Sequence, residues 1–70
     1  MTTEWFVKDY RNFPIGRYYD TGDSLIGINF KKGYVGRYAK NIDITFDKTS
    51  KVFCYGNGIE SLIRKAEDEK

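Results

Sequence analysis

The sequence contains no histidine, a single cysteine and a single proline among its 70 residues. One cysteine excludes an intrachain disulfide, and one thiolate without histidine cannot build a tetrahedral zinc site. General acid–base chemistry would fall to carboxylates, lysine, tyrosine or Cys54, and we identify no nucleophile–base pair among them. We therefore expect a protein that is not an enzyme and that carries no metal and no cofactor.

Long apolar runs are also missing. No stretch approaches the length of a transmembrane helix, and the opening MTTEWFVKDY lacks the apolar region of a signal peptide. Together with the lone cysteine, this predicts a cytoplasmic protein without membrane contact. The length favours one domain, residues 1–70, with a small core. Aromatic residues are plentiful, with one Trp, six Tyr and five Phe to fill it.

Most of the chain shows the period of two that is typical of β-strands. We predict strands over residues 3–8 (extending to about residue 10), 24–30, 41–47 and 51–55, with 34–38 as a short strand or loop. Pro14, Gly16 and the turn sequence Asp20-Thr-Gly-Asp23 predict an irregular connection over residues 11–23. The alternation over 41–47 predicts that Ile42, Ile44 and Phe46 point inward and that Asn41, Asp43, Thr45 and Asp47 point outward. By the same argument Cys54 lies in the core.

The period changes to 3.6 near the end of the chain. Ile59, Leu62, Ile63 and Ala66 form one face of a helix. Asn57 and Glu60 have the spacing of a capping box, and Glu60 to Arg64 is a favourable i,i+4 pair. Acidic residues at the end of the helix oppose its dipole, which predicts a frayed tail over 67–70.

These elements predict an α+β fold. We expect a small antiparallel sheet of about four strands in the order β-β-β-β-α, with the C-terminal amphipathic helix packed on one face. The other face is then left to solvent or to a partner.

Basic residues cluster in the strand-rich part of the chain. Residues 1–56 carry nine Lys/Arg and six Asp/Glu, and the stretch 30–40, FKKGYVGRYAK, contains four basic and three aromatic residues and no acidic one. Interleaved basic and aromatic side chains are typical of surfaces that bind single-stranded nucleic acid. We expect Tyr34 and Tyr38 to share a strand face and to stack on bases. The candidate contact residues are Lys31, Lys32, Tyr34, Arg37, Tyr38 and Lys40, with a second possible group of Arg11, Arg17, Tyr18 and Tyr19.

Other interpretations stay open at this stage. The stretch is also compatible with a turn and an exposed strand that carry solubilising charges. Exposed Tyr and Arg are equally typical of protein interfaces. The alternative function is therefore a protein-binding accessory or inhibitor, of the kind that a phage or mobile element encodes. A homodimer, in which the acidic tail meets the basic stretch of a second copy, is a further possibility.

Overall fold

A computed structural model describes residues 3–68 and shows six strands followed by one helix. The strands are β1 (Glu4–Lys8), β2 (Pro14–Asp20), β3 (Ser24–Asn29), β4 (Gly33–Ala39), β5 (Ile44–Asp47) and β6 (Val52–Tyr55), and the helix is α1 (Ile59–Asp68). The strands form one antiparallel sheet in the order β1-β2-β3-β4-β5-β6, so that each strand pairs with its neighbour in the chain. The α+β class is confirmed, whereas the sheet has six strands rather than about four.

Two strands account for the difference: β4, which was predicted as a short strand or loop, and β2, which occupies the region predicted to be irregular. Pro14 is its first residue, a position where the missing N–H is tolerated. Gly16 lies beneath the helix, where a Cβ atom would stand 2.5 Å from Cγ2 of Ile63. Both residues are therefore compatible with a strand. Pro14 stands at the start of the strand, and Gly16 leaves room for the close approach of α1.

The helix packs across β1 to β4 and lies closest to β3. The predicted apolar face is confirmed, because Ile59, Leu62, Ile63 and Ala66 are all buried. Its partners in the sheet include Val7, Ile15, Leu25 and Val35.

Glycines allow the helix to lie close to the sheet. Gly27 and Gly36 are opposite each other in β3 and β4. A Cβ atom at Gly27 would be 3.3 Å from Cγ2 of Ile59, and one at Gly36 would be 2.7 Å from Cδ1 of Leu62. Side chains at these positions would force the two layers apart, since protein interiors have no spare volume.

Two buried polar side chains fasten the helix to the sheet. Asn29 donates to the carbonyl of Ile63 (3.2 Å) and to Glu67 (3.4 Å), and its Oδ1 accepts the backbone amides of Lys31 (2.8 Å) and Lys32 (2.9 Å). Thr45 accepts from the amide of Gly58 at 2.8 Å and donates to the carbonyl of Gly56 at 2.6 Å. Both side chains are fully buried. They fix the two ends of α1 at separate points of the sheet.

Thr45 corrects the predicted orientation of β5. It faces the helix, whereas Ile44 and Phe46 lie on the opposite face of the sheet, and Ile42 is 52% exposed in the turn before the strand. The prediction that Ile42, Ile44 and Phe46 point inward is therefore wrong. It assumed that the apolar set of the alternation faces the helix, but in this protein the other face of the sheet is apolar as well.

The helix start also differs in detail from the predicted capping box. Oδ1 of Asn57 accepts the amide of Ile59 at 3.2 Å, but the N-cap residue is Gly58, whose carbonyl accepts the amide of Leu62 at 3.0 Å. Glu60 instead pairs with Arg64 at 2.6 Å, as the i,i+4 spacing predicted. At the other end, α1 continues to Asp68, with Glu67 bound by Asn29 and Lys31. Residues 69 and 70 of the predicted frayed tail lie outside the described part of the chain.

Candidate functional site on the open face of the sheet

Within residues 3–68 the sheet has one face that no other element covers, and we call it the open face. Residues that are opposite each other in a ladder share a face, so the strand register identifies its members. They include the aromatic and aliphatic residues Phe6, Tyr19, Ile26, Ile28, Tyr34, Ile44, Phe46 and Val52, together with Arg17 and Arg37. Phe30, just after β3, extends this set, since its ring lies 6.4 Å from that of Phe6.

Large apolar side chains on the open face are exposed to solvent. Phe6 is 57% exposed, Phe30 51% and Val52 52%. Exposed aromatic and aliphatic side chains gathered on one face favour a contact surface for a partner or ligand. The open face is therefore the first candidate for a binding site.

Two arginines pack against aromatic rings of this surface. The guanidinium carbon of Arg37 is 4.9 Å from the ring centroid of Phe46, and that of Arg17 is 5.2 Å from the ring centroid of Tyr19. Both distances are within the range of cation–π attraction. Both guanidinium groups are thus held at the surface, each against a ring of the open face.

The charge of the open face is mainly positive. Arg17 forms an ion pair with Glu4 at 2.6 Å, at the edge strand. Arg37 has no carboxylate within 4.0 Å among residues 3–68. The remaining strand carboxylates, Asp20 and Asp47, are opposite helix-face residues in the ladders. The open face therefore combines aromatic rings, aliphatic side chains and an excess of positive charge.

A β-bulge separates two of the residues predicted to act together. Gly36 is opposite Gly27 and Tyr34 is opposite Ile28, so that Val35 is an extra residue in β4. Tyr34 consequently lies on the open face, whereas Tyr38, opposite Leu25, lies on the helix face. The prediction that Tyr34 and Tyr38 share a face is wrong, because the bulge changes the alternation between them.

Tyr38 is engaged on the helix face. It packs against the core, and its hydroxyl donates to Asp43. The pKa of Tyr38 is raised above its ordinary value, mainly by this hydrogen bond to a carboxylate and to a smaller extent by partial burial. Tyr18 also lies on the helix face, where it stacks on Trp5 with a centroid distance of 5.1 Å.

The lysines at the two ends of β4 are paired with acidic side chains. Lys31 is 3.1 Å from Glu67, and Lys40 is 2.6 Å from Asp20. These bonds are the largest causes that lower the pKa values of the two carboxyl groups, assisted by Asn29 at Glu67 and by a backbone amide at Asp20. Lys32 has no such partner among residues 3–68.

The second predicted group is also divided. Arg17 and Tyr19 lie on the open face and Tyr18 on the helix face. Arg11 is in the β1–β2 connection, where it pairs with Asp9 at 3.4 Å. The structure thus brings together Arg17, Tyr19, Tyr34 and Arg37, two residues from each predicted group. It adds Phe6, Phe30 and Phe46, which the sequence-based choice omitted. For Phe46 the alternation over 41–47 predicted the inward side of the sheet.

Two other residues with possible chemical roles, Asp20 and Cys54, lie on the helix face of the sheet. No group of three or more potential metal ligands occurs within residues 3–68. Asp20 accepts the amide of Gly22 at 2.7 Å, as expected of a turn residue. Cys54 is a free, half-buried thiol opposite Thr45. Within the same range no helix has both the length and the apolar character needed to cross a membrane.

Comparisons with known proteins give no relative for this chain. No protein-family model, no curated protein and no solved structure matches it.

Proposed function

We propose that this protein is a small, non-enzymatic module that binds single-stranded nucleic acid through the open face of its sheet. The observation that carries the proposal is the pair of arginines lying on aromatic rings, at 4.9 Å and 5.2 Å, on a face with one strand carboxylate. Aromatic rings stack on bases of any sequence, and guanidinium groups bind phosphate. The free thiol of Cys54 supports a cytoplasmic location.

The position of the helix favours a single strand over a duplex. Proteins that recognise duplex DNA usually place a helix or a β-ribbon in the major groove. In this protein α1 is on the opposite side of the sheet and begins at Ile59 next to the buried Thr45. The exposed elements are a broad sheet and its rings, which suit unstacked bases.

Among the residues predicted from the sequence, we assign direct contact to Tyr34 and Arg37, with Tyr19 from the second group. Arg17, which is paired with Glu4 at 2.6 Å, adds to the positive potential in the same way as the paired lysines. Lys32 is placed to add a phosphate contact at the β3–β4 turn. Lys31 and Lys40 contribute to the general positive potential, because each already has a carboxylate partner.

The test is fluorescence anisotropy of labelled DNA and RNA single strands, titrated with Arg37→Gln and Lys40→Gln. Both variants lose one positive charge, but only Arg37 lies on the open face. With two to three phosphates neutralised, affinity should fall about tenfold between roughly 50 and 200 mM salt. Arg37→Gln should weaken binding and reduce the salt slope by about 0.7, while Lys40→Gln leaves the slope nearly unchanged. Equal effects of the two substitutions would contradict the assignment to the open face.

A protein partner is the second candidate, and the aliphatic centre of the open face favours it. Ile26, Ile28 and Ile44 are only half-buried although they lie on inner strands of the sheet. In this case the protein would act as an accessory or inhibitor that covers a partner's surface. A nuclease-treated lysate should then yield one stoichiometric partner that Ile28→Lys no longer retains, and no oligonucleotide should bind at low salt.

A further inference from the structure

We propose a second binding site, a groove beside the helix that takes a small anion with one flat apolar ring. The groove is on the helix face, between α1 and the strands β4 to β6. Its floor lies on the face of the sheet opposite the open face, but its lining also includes Lys32 and Tyr34. The proposal does not depend on nucleic-acid binding.

The groove exists because the sheet is wider than the helix that covers it. Six strands span roughly 24 Å, whereas a helix with its side chains is about 10–12 Å across. The helix is centred on β3, so the same face of β5 and β6 extends beyond it. Phe53, in β6, is only partly buried against the core as a result.

The floor of the groove is apolar and continuous with the core. It is formed by Val35, Phe53, Leu62 and Ala66. The groove holds about 140 Å³. An engineered apolar cavity of about 150 Å³ binds benzene, so the volume is suited to a single ring.

The rim determines the charge of the ligand. Three lysines line the groove, Lys32, Lys48 and Lys65, and none has a carboxylate within 4.0 Å among residues 3–68. The one acidic lining residue, Asp47, is occupied by its own turn. Its Oδ1 accepts the hydroxyl of Thr49 at 2.6 Å and the amides of Thr49 and Lys51 at 2.8 Å and 3.1 Å.

The position of Lys65 links the two parts of the site. Its Nζ lies 5.6 Å from the ring centroid of Phe53, so a positive charge stands directly above the apolar floor. A ring placed on Phe53 would bring an attached carboxylate within reach of this ammonium group. The floor is apolar, and the cationic rim has no carboxylate partner among residues 3–68. Such a groove is complementary to an aromatic carboxylate, which presents a ring to the floor and a charge to the rim.

The experiment is a titration of ¹⁵N-labelled protein with benzoate, followed by amide chemical shifts. Acetate, which has the charge without the ring, and benzyl alcohol, which has the ring without the charge, are the comparison ligands. We expect saturable shifts at Phe53, Leu62 and Lys65 with a dissociation constant on the order of 1 mM, and clearly weaker binding of both comparison ligands.

Two charge variants make the result decisive. Lys48→Gln/Lys65→Gln removes two rim charges and should weaken benzoate binding at least about fivefold, which corresponds to the loss of charge-assisted contacts. Lys51→Gln changes a lysine of the same hairpin that does not line the groove, and it should leave the affinity unchanged. The proposal is overturned if benzoate gives no saturable shift, or if the double variant binds it as tightly as the wild type.

Discussion

Asn29 is the polar side chain whose removal we expect to lower the free energy of unfolding most. It is fully buried and takes part in four hydrogen bonds that join the β3–β4 turn to the C-terminal half of α1. Each such bond contributes about 0.5–1.5 kcal/mol, and buried groups left unpaired add to the loss. We therefore expect Asn29→Ala to lower the free energy of unfolding by about 2–4 kcal/mol.

This loss is large for a chain of this size. At about 0.05–0.15 kcal/mol per residue, 70 residues give a total stability of roughly 4–10 kcal/mol. Urea unfolding measures the change, and Trp5, the only tryptophan, provides the fluorescence signal. The control is Asn41→Ala, an exposed asparagine whose loss should stay within about 0.5 kcal/mol. A loss below about 1 kcal/mol for Asn29→Ala would refute the reasoning.

Asn29→Asp separates the donated bonds from the accepted ones. An aspartate keeps the oxygen that accepts the amides of Lys31 and Lys32, but its carboxylate cannot donate to Ile63 and it faces the carboxylate of Glu67. We expect this variant to be less stable than the wild type at neutral pH, and to recover part of the difference when acid protonates the new side chain. Unfolding midpoints at pH 7 and near pH 4 make the comparison.

The remaining predictions concern the helix–sheet contact and acid stability. Gly36→Ala should destabilise by about 3 kcal/mol or more, because Gly36 has φ 154° and a Cβ atom would meet Leu62 and the carbonyl of Phe46. Gly22→Ala, at φ 107° in an open turn, should cost only about 1 kcal/mol in the same urea assay, and equal losses would contradict the packing argument. The pKa values of Glu67 and Asp20 are lowered in the folded state, mainly by Lys31 and Lys40. Their contribution to stability is therefore present above the unfolded pKa values of about 4 and is lost as pH falls below them, so the urea midpoint should decline from about pH 5 towards pH 3. Lys31→Gln should reduce that decline, and an unchanged pH profile would argue against the Lys31–Glu67 contact.

Sequence patterns were sufficient for the helix and for most strands. An amphipathic helix has one apolar face. The buried side of α1 was therefore identified without ambiguity by Ile59, Leu62, Ile63 and Ala66. A strand has two faces, and in β5 both were candidates. The fully buried residue turned out to be Thr45, whose hydroxyl is satisfied by Gly56 and Gly58 eleven and thirteen residues away. Such long-range partners have no local signal in the sequence.

The candidate site was harder to predict than the fold. The basic and aromatic residue types were visible in the sequence, but their distribution between the two faces depends on the extra residue at Val35. The ion pair between Lys31 and Glu67 joins residues that are 36 positions apart in the chain. Strand pairing and helix docking, rather than composition, therefore determine which charges are available to a ligand.

The most direct test of the open face is an amide chemical-shift map with an unlabelled single-stranded oligonucleotide of about ten bases at low salt. At about 4–16 nucleotides per comparable single-strand binding surface, this length fills the site. We predict that the largest shifts fall on Arg17, Tyr19, Ile28, Arg37 and Phe46, while residues 59–68 of the helix stay nearly unchanged. Shifts confined to the helix and to Lys31 and Lys40, or no shifts at all, would contradict the assignment of the open face as a nucleic-acid interface.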